Sequence, residues 1–189
     1  MLEKIGDTVG KHSKSSAAPV VIRTRRAYFD CQFGQLHVRT AFPSSGGFDE
    51  QVTLFCLHPS DGSGRRFDRL LPAMAQDRSV YAPDLPGFGE SDPAPSFAST
   101  DAARAMSDLV TDLRLRRIDV LGVGFGAAVA LELAVARPDL VRRLVLAAVP
   151  PMDQKPAAAQ QALVLEGADE LLGASPAATA IHIRAFLRG

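Results

Sequence analysis

Leu121-Gly122-Val123-Gly124-Phe125-Gly126-Ala127-Ala128 lies between a β-rich run, Ile118 to Val123, and an apolar helical stretch, Phe125 to Ala136, that Pro138 stops. Glycine at every second position removes the Cβ atoms that would hold a strand and the following helix apart. The segment therefore reads as a tight strand-to-helix turn. Two motifs compete for it. In the elbow G-x-S-x-G, the middle serine is exposed at the head of the helix as a nucleophile. Gly122 and Gly126 keep that frame, but the middle position is Gly124, which has no side chain with which to attack a carbonyl. The same residues, Gly122-x-Gly124-x-x-Ala127, also fit the dinucleotide fingerprint G-x-G-x-x-G/A. That chemistry needs an acidic residue closing the next strand to hold a ribose, and the fingerprint belongs after the first strand. Here the next strand ends Ala147-Ala148-Val149-Pro150, and several strands precede the glycines. Nucleotide binding is the weaker reading.

Working outward, short β-rich runs alternate with amphipathic helices from Tyr28 onward, the pattern of parallel strands joined by helical crossovers. Tyr28 to Phe33 and Gln35 to Phe42 form a hairpin pair around Gly34, and Val52 to His58 is a buried strand. Phe67, Leu70, Leu71 and Met74 recur at helical spacing after Gly64, and Ser79 to Pro83 is the next strand. The helix after Thr100 turns Ala102, Met106, Leu109, Val110 and Leu113 to one side. Val141 to Val149 is a further strand, ended by Pro150 and Pro151, and Met152 to Gly189 is Ala-rich and mostly helical in pattern. Residues 1 to 26 carry basic and Ser-rich pieces without periodicity and are expected to be a flexible tail. The expected organisation is a tail over 1–26, an α/β core over 27–150 and a helical, cap-like segment over 151–189.

Three more segments, with the elbow frame, give the chain a family likeness. Leu57-His58-Pro59-Ser60 ends one strand, Asp84-Leu85-Pro86-Gly87-Phe88-Gly89-Glu90-Ser91-Asp92 ends the next, and Ala136-Arg137-Pro138-Asp139-Leu140-Val141-Arg142-Arg143-Leu144-Val145-Leu146 links the glycine-rich helix to the strand after it. Over about Phe29 to Pro150 the chain resembles the α/β-hydrolase family of esterases and related enzymes. The likeness implies a mostly parallel sheet flanked by helices, ending after the sixth strand. It also implies an oxyanion site from the amides of Ser60 and Phe125, with His58 in the loop that carries Ser60. The family commonly has His-Gly where this chain has His58-Pro59, but a proline loses only its own amide hydrogen. By the same likeness Gly124 occupies the nucleophile position. The same glycine-for-serine exchange is found in the N-myc downstream-regulated family, which resembles hydrolases and is regarded as non-enzymatic.

Catalysis by a triad needs a nucleophile, a histidine base and an orienting acid. His182, in Ala180-Ile181-His182-Ile183, sits in a helical pattern without the glycine-rich loop a triad histidine has, His12 is in the tail, and His37 alternates on an edge-type strand. His58 and Asp84 end neighbouring strands, which brings them within reach of a hydrogen bond whose reading is structural and not catalytic. The chain is thus expected to be a catalytically silent relative of small-molecule ester and amide hydrolases, retaining a pocket for a small ligand or ester-like substrate. A residually active carboxylic-ester hydrolase is one alternative. Another is an interaction protein that self-associates through the hydrophobic strand Val141 to Val149, were that strand the sheet edge.

Composition narrows the partners. Lys plus Arg and Asp plus Glu both number 21, giving no net charge, so nothing favours nucleic acid or an anionic membrane. Cys31 and Cys56 lie in apolar strand-like runs without metal spacing and read as reduced core thiols of a cytoplasmic protein that carries no metal or cofactor.

Overall fold

The computed structural model describes residues 21–44, 51–149, 151, 162–165 and 176–189. Seven strands form one sheet: β1 (Arg25–Cys31), β2 (Gly34–Ala41), β3 (Leu54–Leu57), β4 (Val80–Pro83), β5 (Ile118–Val123), β6 (Val141–Ala147) and β7 (Leu163–Leu165). Their order is β1-β2-β4-β3-β5-β6-β7, antiparallel at β1–β2 and β2–β4 and parallel from β4 to β7. The helices are α1 (Leu71–Met74), α2 (Ser99–Asp112), α3 (Phe125–Ala136) and α4 (Pro176–Arg188), with a 3-10 turn over Gly64–Phe67.

Strand alternation splits the interior into two cores. Phe55, Leu57, Val120, Leu144 and Leu146 face α2 and α3, burying Met106, Leu109, Val129 and Leu133. Their neighbours Leu54, Cys56, Leu121, Val123 and Val145 face the other way, against Phe67, Leu71, Met74 and the α4 residues Ala180, Ile183 and Leu187. Helices on both faces explain why the central strands are apolar throughout and not alternating.

Two expectations change here. The sheet does not end at β6, because Leu163–Leu165 adds in parallel along Val145 to Ala147. That short apolar triplet lies within the stretch expected to be helical, and the strand Val141 to Val149 is consequently not a free edge along its second half. Across the first half, Arg142 donates to the Leu187 carbonyl at 2.7 Å and Arg143 to that of Phe186, docking the end of α4 there. β7 thus covers only the second half of that edge, and Val141, Arg142 and Arg143 in the first half stay partly exposed. At the other end, β1 begins at Arg25, inside the stretch expected to be tail, while residues 1–20 of that tail lie outside the described residues.

α4 is also anchored by buried charge at the amino ends of the strands. Asp119 on β5, with no exposed surface, takes a bidentate pair from Arg142 at 2.8 and 2.6 Å and a longer contact from the fully buried Arg78 at 3.4 Å. Asp77 accepts from Arg78, Arg184 and Arg188. Burial pushes the Asp77 carboxyl up, but the bonds from Arg188 and Arg78 outweigh it and hold it below its ordinary value.

Candidate active site

The site lies where β3, β4 and β5 end, the side of a parallel sheet at which ligands bind. Three loops meet there, each led by a residue the strand delivers: His58 after β3, Asp84 after β4 and Gly124 after β5.

Gly124 caps α3 with φ 55° and ψ −118°, a region strained for any residue with a Cβ. Its own amide donates to the Ala147 carbonyl at 2.9 Å, tying the turn to β6. The turn is tight because both flanking glycines are needed as such. A Cβ on Gly122 would come within 2.5 Å of the Gly126 carbonyl oxygen, and one on Gly126 within 2.2 Å of the Leu57 carbonyl oxygen. The elbow geometry is therefore intact while its middle residue has no reactive atom. The amide of Phe125, first in α3, has no partner among the described residues, as expected for the open end of a helix.

The loop after β3 is rigid. His58 is fully buried; its Nε2 accepts from the Leu85 amide at 2.9 Å, which leaves the proton on Nδ1, donated to the Pro59 carbonyl at 2.8 Å. The Gly62 amide donates to the same carbonyl at 3.1 Å, closing a turn that exposes Ser60. With that carbonyl turned inward, the trans peptide directs the Ser60 amide to the opposite side. Pro59 lies against Gly124, so Ser60 and Phe125 flank one contact between the two loops.

Burial lowers the His58 pKa below its ordinary value, outweighing the bond to Pro59. The folded state thus binds the proton less well than the unfolded chain. The His58 contribution to stability is full above the ordinary histidine value of about 6.5 and is lost as pH falls toward the lower folded value. Urea midpoints between pH 8 and pH 5 are expected to fall more steeply for the parent than for His58→Gln. Equal slopes would show that His58 is not held neutral.

Asp84 does not bond His58, contrary to the expectation from strand ends. Its carboxylate accepts from the amides of Gly64 at 2.7 Å and Glu90 at 2.9 Å and from His37 Nδ1 at 2.9 Å. Asp84 is a brace between β2, β4 and two loops, and Gly89 is glycine because a Cβ there would lie 2.0 Å from Asp84 Oδ2. The expectation failed because His37, 1% exposed, is not an edge residue: β2 has β1 on one side and β4 on the other. His182 is exposed on α4, away from these loops. Phe88, within the Asp84 to Asp92 segment, was not singled out by sequence. Its ring lies 5.4 Å from that of His58 and 6.0 Å from each of Phe97 and Phe125, so it links the loops after β3, β4 and β5 by aromatic contacts. Among the described residues no three His, Cys, Asp or Glu side chains are grouped to hold a metal ion.

A mostly parallel sheet with a strand-turn-helix elbow after β5 and a histidine-led loop after β3 defines a protein built on the hydrolase α/β plan. The chain belongs to the alpha/beta hydrolase family, whose sequence profile matches residues 54–188. Similar proteins include pimeloyl-[acyl-carrier protein] methyl ester esterase of Neisseria meningitidis, 31% identical over 143 residues that make up 74% of this chain and 53% of that protein. Another is 2-hydroxymuconate semialdehyde hydrolase of Pseudomonas sp., 33% identical over 111 residues, 58% of this chain and 39% of that one. Among solved structures, a serine-to-glycine mutant of the N-acyl homoserine lactonase AidH, complexed with N-hexanoyl homoserine lactone, superposes with a TM-score of 0.60 at 26% identity. The match covers 68% of this chain and 46% of that one. The epoxide hydrolase CorEH gives 0.57 at 27% identity, covering 74% and 48%. The chain spans about a third to a half of the length of the curated relatives it matches. No helix among the described residues is long and apolar enough to cross a membrane.

Proposed function

We propose that this protein binds a small acyl compound, a carboxylate or ester, at the elbow and does not hydrolyse it by serine chemistry. The observation that carries the reading is Gly124 in full elbow geometry, φ 55° and ψ −118°, with no nucleophilic atom. The Phe125 amide at the head of α3, without a partner among the described residues, the neighbouring Ser60 amide and the Phe88 ring supply an anion-facing end and an apolar side. The AidH serine-to-glycine mutant complexed with a lactone supports this reading, since a similar fold that has lost a serine to glycine is there in complex with an acyl ligand. With no nucleophilic atom at the elbow, covalent catalysis has no starting point, so activity is expected at or near background.

The test pairs turnover with binding. p-Nitrophenyl acetate is expected to hydrolyse at the background rate with the parent, Gly124→Ser and Ser60→Ala. Calorimetry with hexanoate is expected to show binding that Phe125→Pro abolishes, because proline suits the first helical position but has no amide hydrogen. Phe125→Ala keeps the amide and is expected to retain binding. Parental turnover abolished by Ser60→Ala would sink the silent reading.

A further inference from the structure

We propose that Pro59 is a specificity-determining residue of this site: it reserves the elbow for glycine and excludes a nucleophile's side chain from it. The Cβ that any other residue would place at position 124 comes 3.1 Å from Pro59 Cβ and 3.7 Å from Pro59 Cα. The first distance is shorter than ordinary carbon contact, so Pro59 would have to give by a few tenths of an ångström. Its backbone carbonyl is held on both sides. The Leu85 amide fixes His58 at 2.9 Å, His58 fixes the Pro59 carbonyl at 2.8 Å, and the Gly62 amide grips the same carbonyl at 3.1 Å. His58 itself has no exposed surface and no room to turn. A chain of fixed atoms thus runs from the loop after β4 through the loop after β3 to the elbow, and it ends on the volume that a nucleophile's first carbon would fill.

Strain at φ 55° would penalise a side chain at 124 in any background. The proline adds a second penalty that strain does not contain, and only this second part responds to residue 59. How readily the elbow accepts a side chain therefore depends on residue 59 as well as on residue 124, which makes the glycine form of the site a joint property of two loops. This inference concerns which side chains the site admits and goes beyond the ligand-binding reading.

A double-mutant cycle in melting temperature separates the two penalties. Gly124→Ala adds the Cβ and nothing else. Its penalty is expected to shrink by about 4 °C or more when Pro59→Gly removes the opposing carbon, given about 2–4 °C per kcal/mol for a chain of this size. Pro59→Ala keeps the Cβ that makes the close contact and is expected to leave the penalty of Gly124→Ala unchanged, although it loses the ring just as glycine does. If Gly124→Ala alone does not fold, recovery of folding with Pro59→Gly but not with Pro59→Ala is the supporting result. Equal penalties in all three backgrounds, within about 2 °C, would overturn the proposal, as would relief by Pro59→Ala. Hexanoate binding reports separately: its absence overturns the proposed function and leaves this coupling standing.

Discussion

Asp119→Asn is expected to lower the melting temperature by about 6–20 °C, read by circular dichroism at neutral pH. The estimate is ~3–5 kcal/mol for removing one partner of a buried pair, at about 2–4 °C per kcal/mol for a chain of this size. Asparagine keeps the volume of aspartate, so the change tests charge and not packing. Asp119 has no exposed surface and faces two guanidinium groups: Arg142, bidentate at 2.8 and 2.6 Å, and Arg78, fully buried at 3.4 Å. After substitution Arg78 keeps Asp77, at 3.1 Å, but Arg142 keeps no carboxylate among the described residues. Arg142 also caps the Leu187 carbonyl, so its displacement should loosen α4 first. Hydrogen exchange should show amides of α4 opening before those of β5. A melting temperature within about 2 °C of the parent would mean that water reaches these charges and that the cluster contributes little.

That cluster marks where sequence reading stops. In the sequence Arg142 and Arg143 belong to the segment linking the elbow helix to β6, and Asp119 is one polar residue inside the β-rich run Ile118 to Val123. What joins them is strand register, which brings Asp119 beside Arg143 and positions the Arg142 side chain to reach back; composition does not encode that. The same limit separated His58 from its true partners. Strand ends suggested Asp84, yet the order β2-β4-β3 delivers His37 to Asp84 and turns His58 toward Leu85 and Pro59. By contrast, the elbow, the loop after β4 and the strand-helix alternation were legible, because each is a local pattern in which neighbouring residues constrain one another. β7 was not, because three apolar residues in an Ala-rich stretch carry too little periodicity to separate strand from helix. Pro59 was read for its missing amide hydrogen. Its Cβ matters more, and the approach of that atom to Gly124 joins two distant segments that only the folded sheet brings together.

Gly126→Ala is the second large effect, and its sign discriminates between two physical arguments. On an exposed helix, alanine for glycine stabilises by about 0.5–1 kcal/mol, because glycine has more backbone freedom to lose. Gly126 is buried in the first turn of α3, and the added Cβ would lie 2.2 Å from the Leu57 oxygen, 2.4 Å from its carbon and 2.7 Å from the His58 oxygen. All three are backbone atoms of β3 and its exit, so no side-chain rotation relieves them; α3 must shift off the sheet. Overpacking of this kind costs about 1–3 kcal/mol and more where the neighbour cannot yield, so a loss near 3 kcal/mol, about 6–12 °C, is expected. The shift moves the Phe125 amide as well, so hexanoate binding should weaken in the same variant. Gly124→Ala meets a single proline and is expected to be the milder substitution despite its strained φ, giving the order Gly126→Ala below Gly124→Ala below parent in melting temperature. Stabilisation by Gly126→Ala would mean that α3 does not approach β3 this closely, and the tight elbow on which the whole site depends would fall with it.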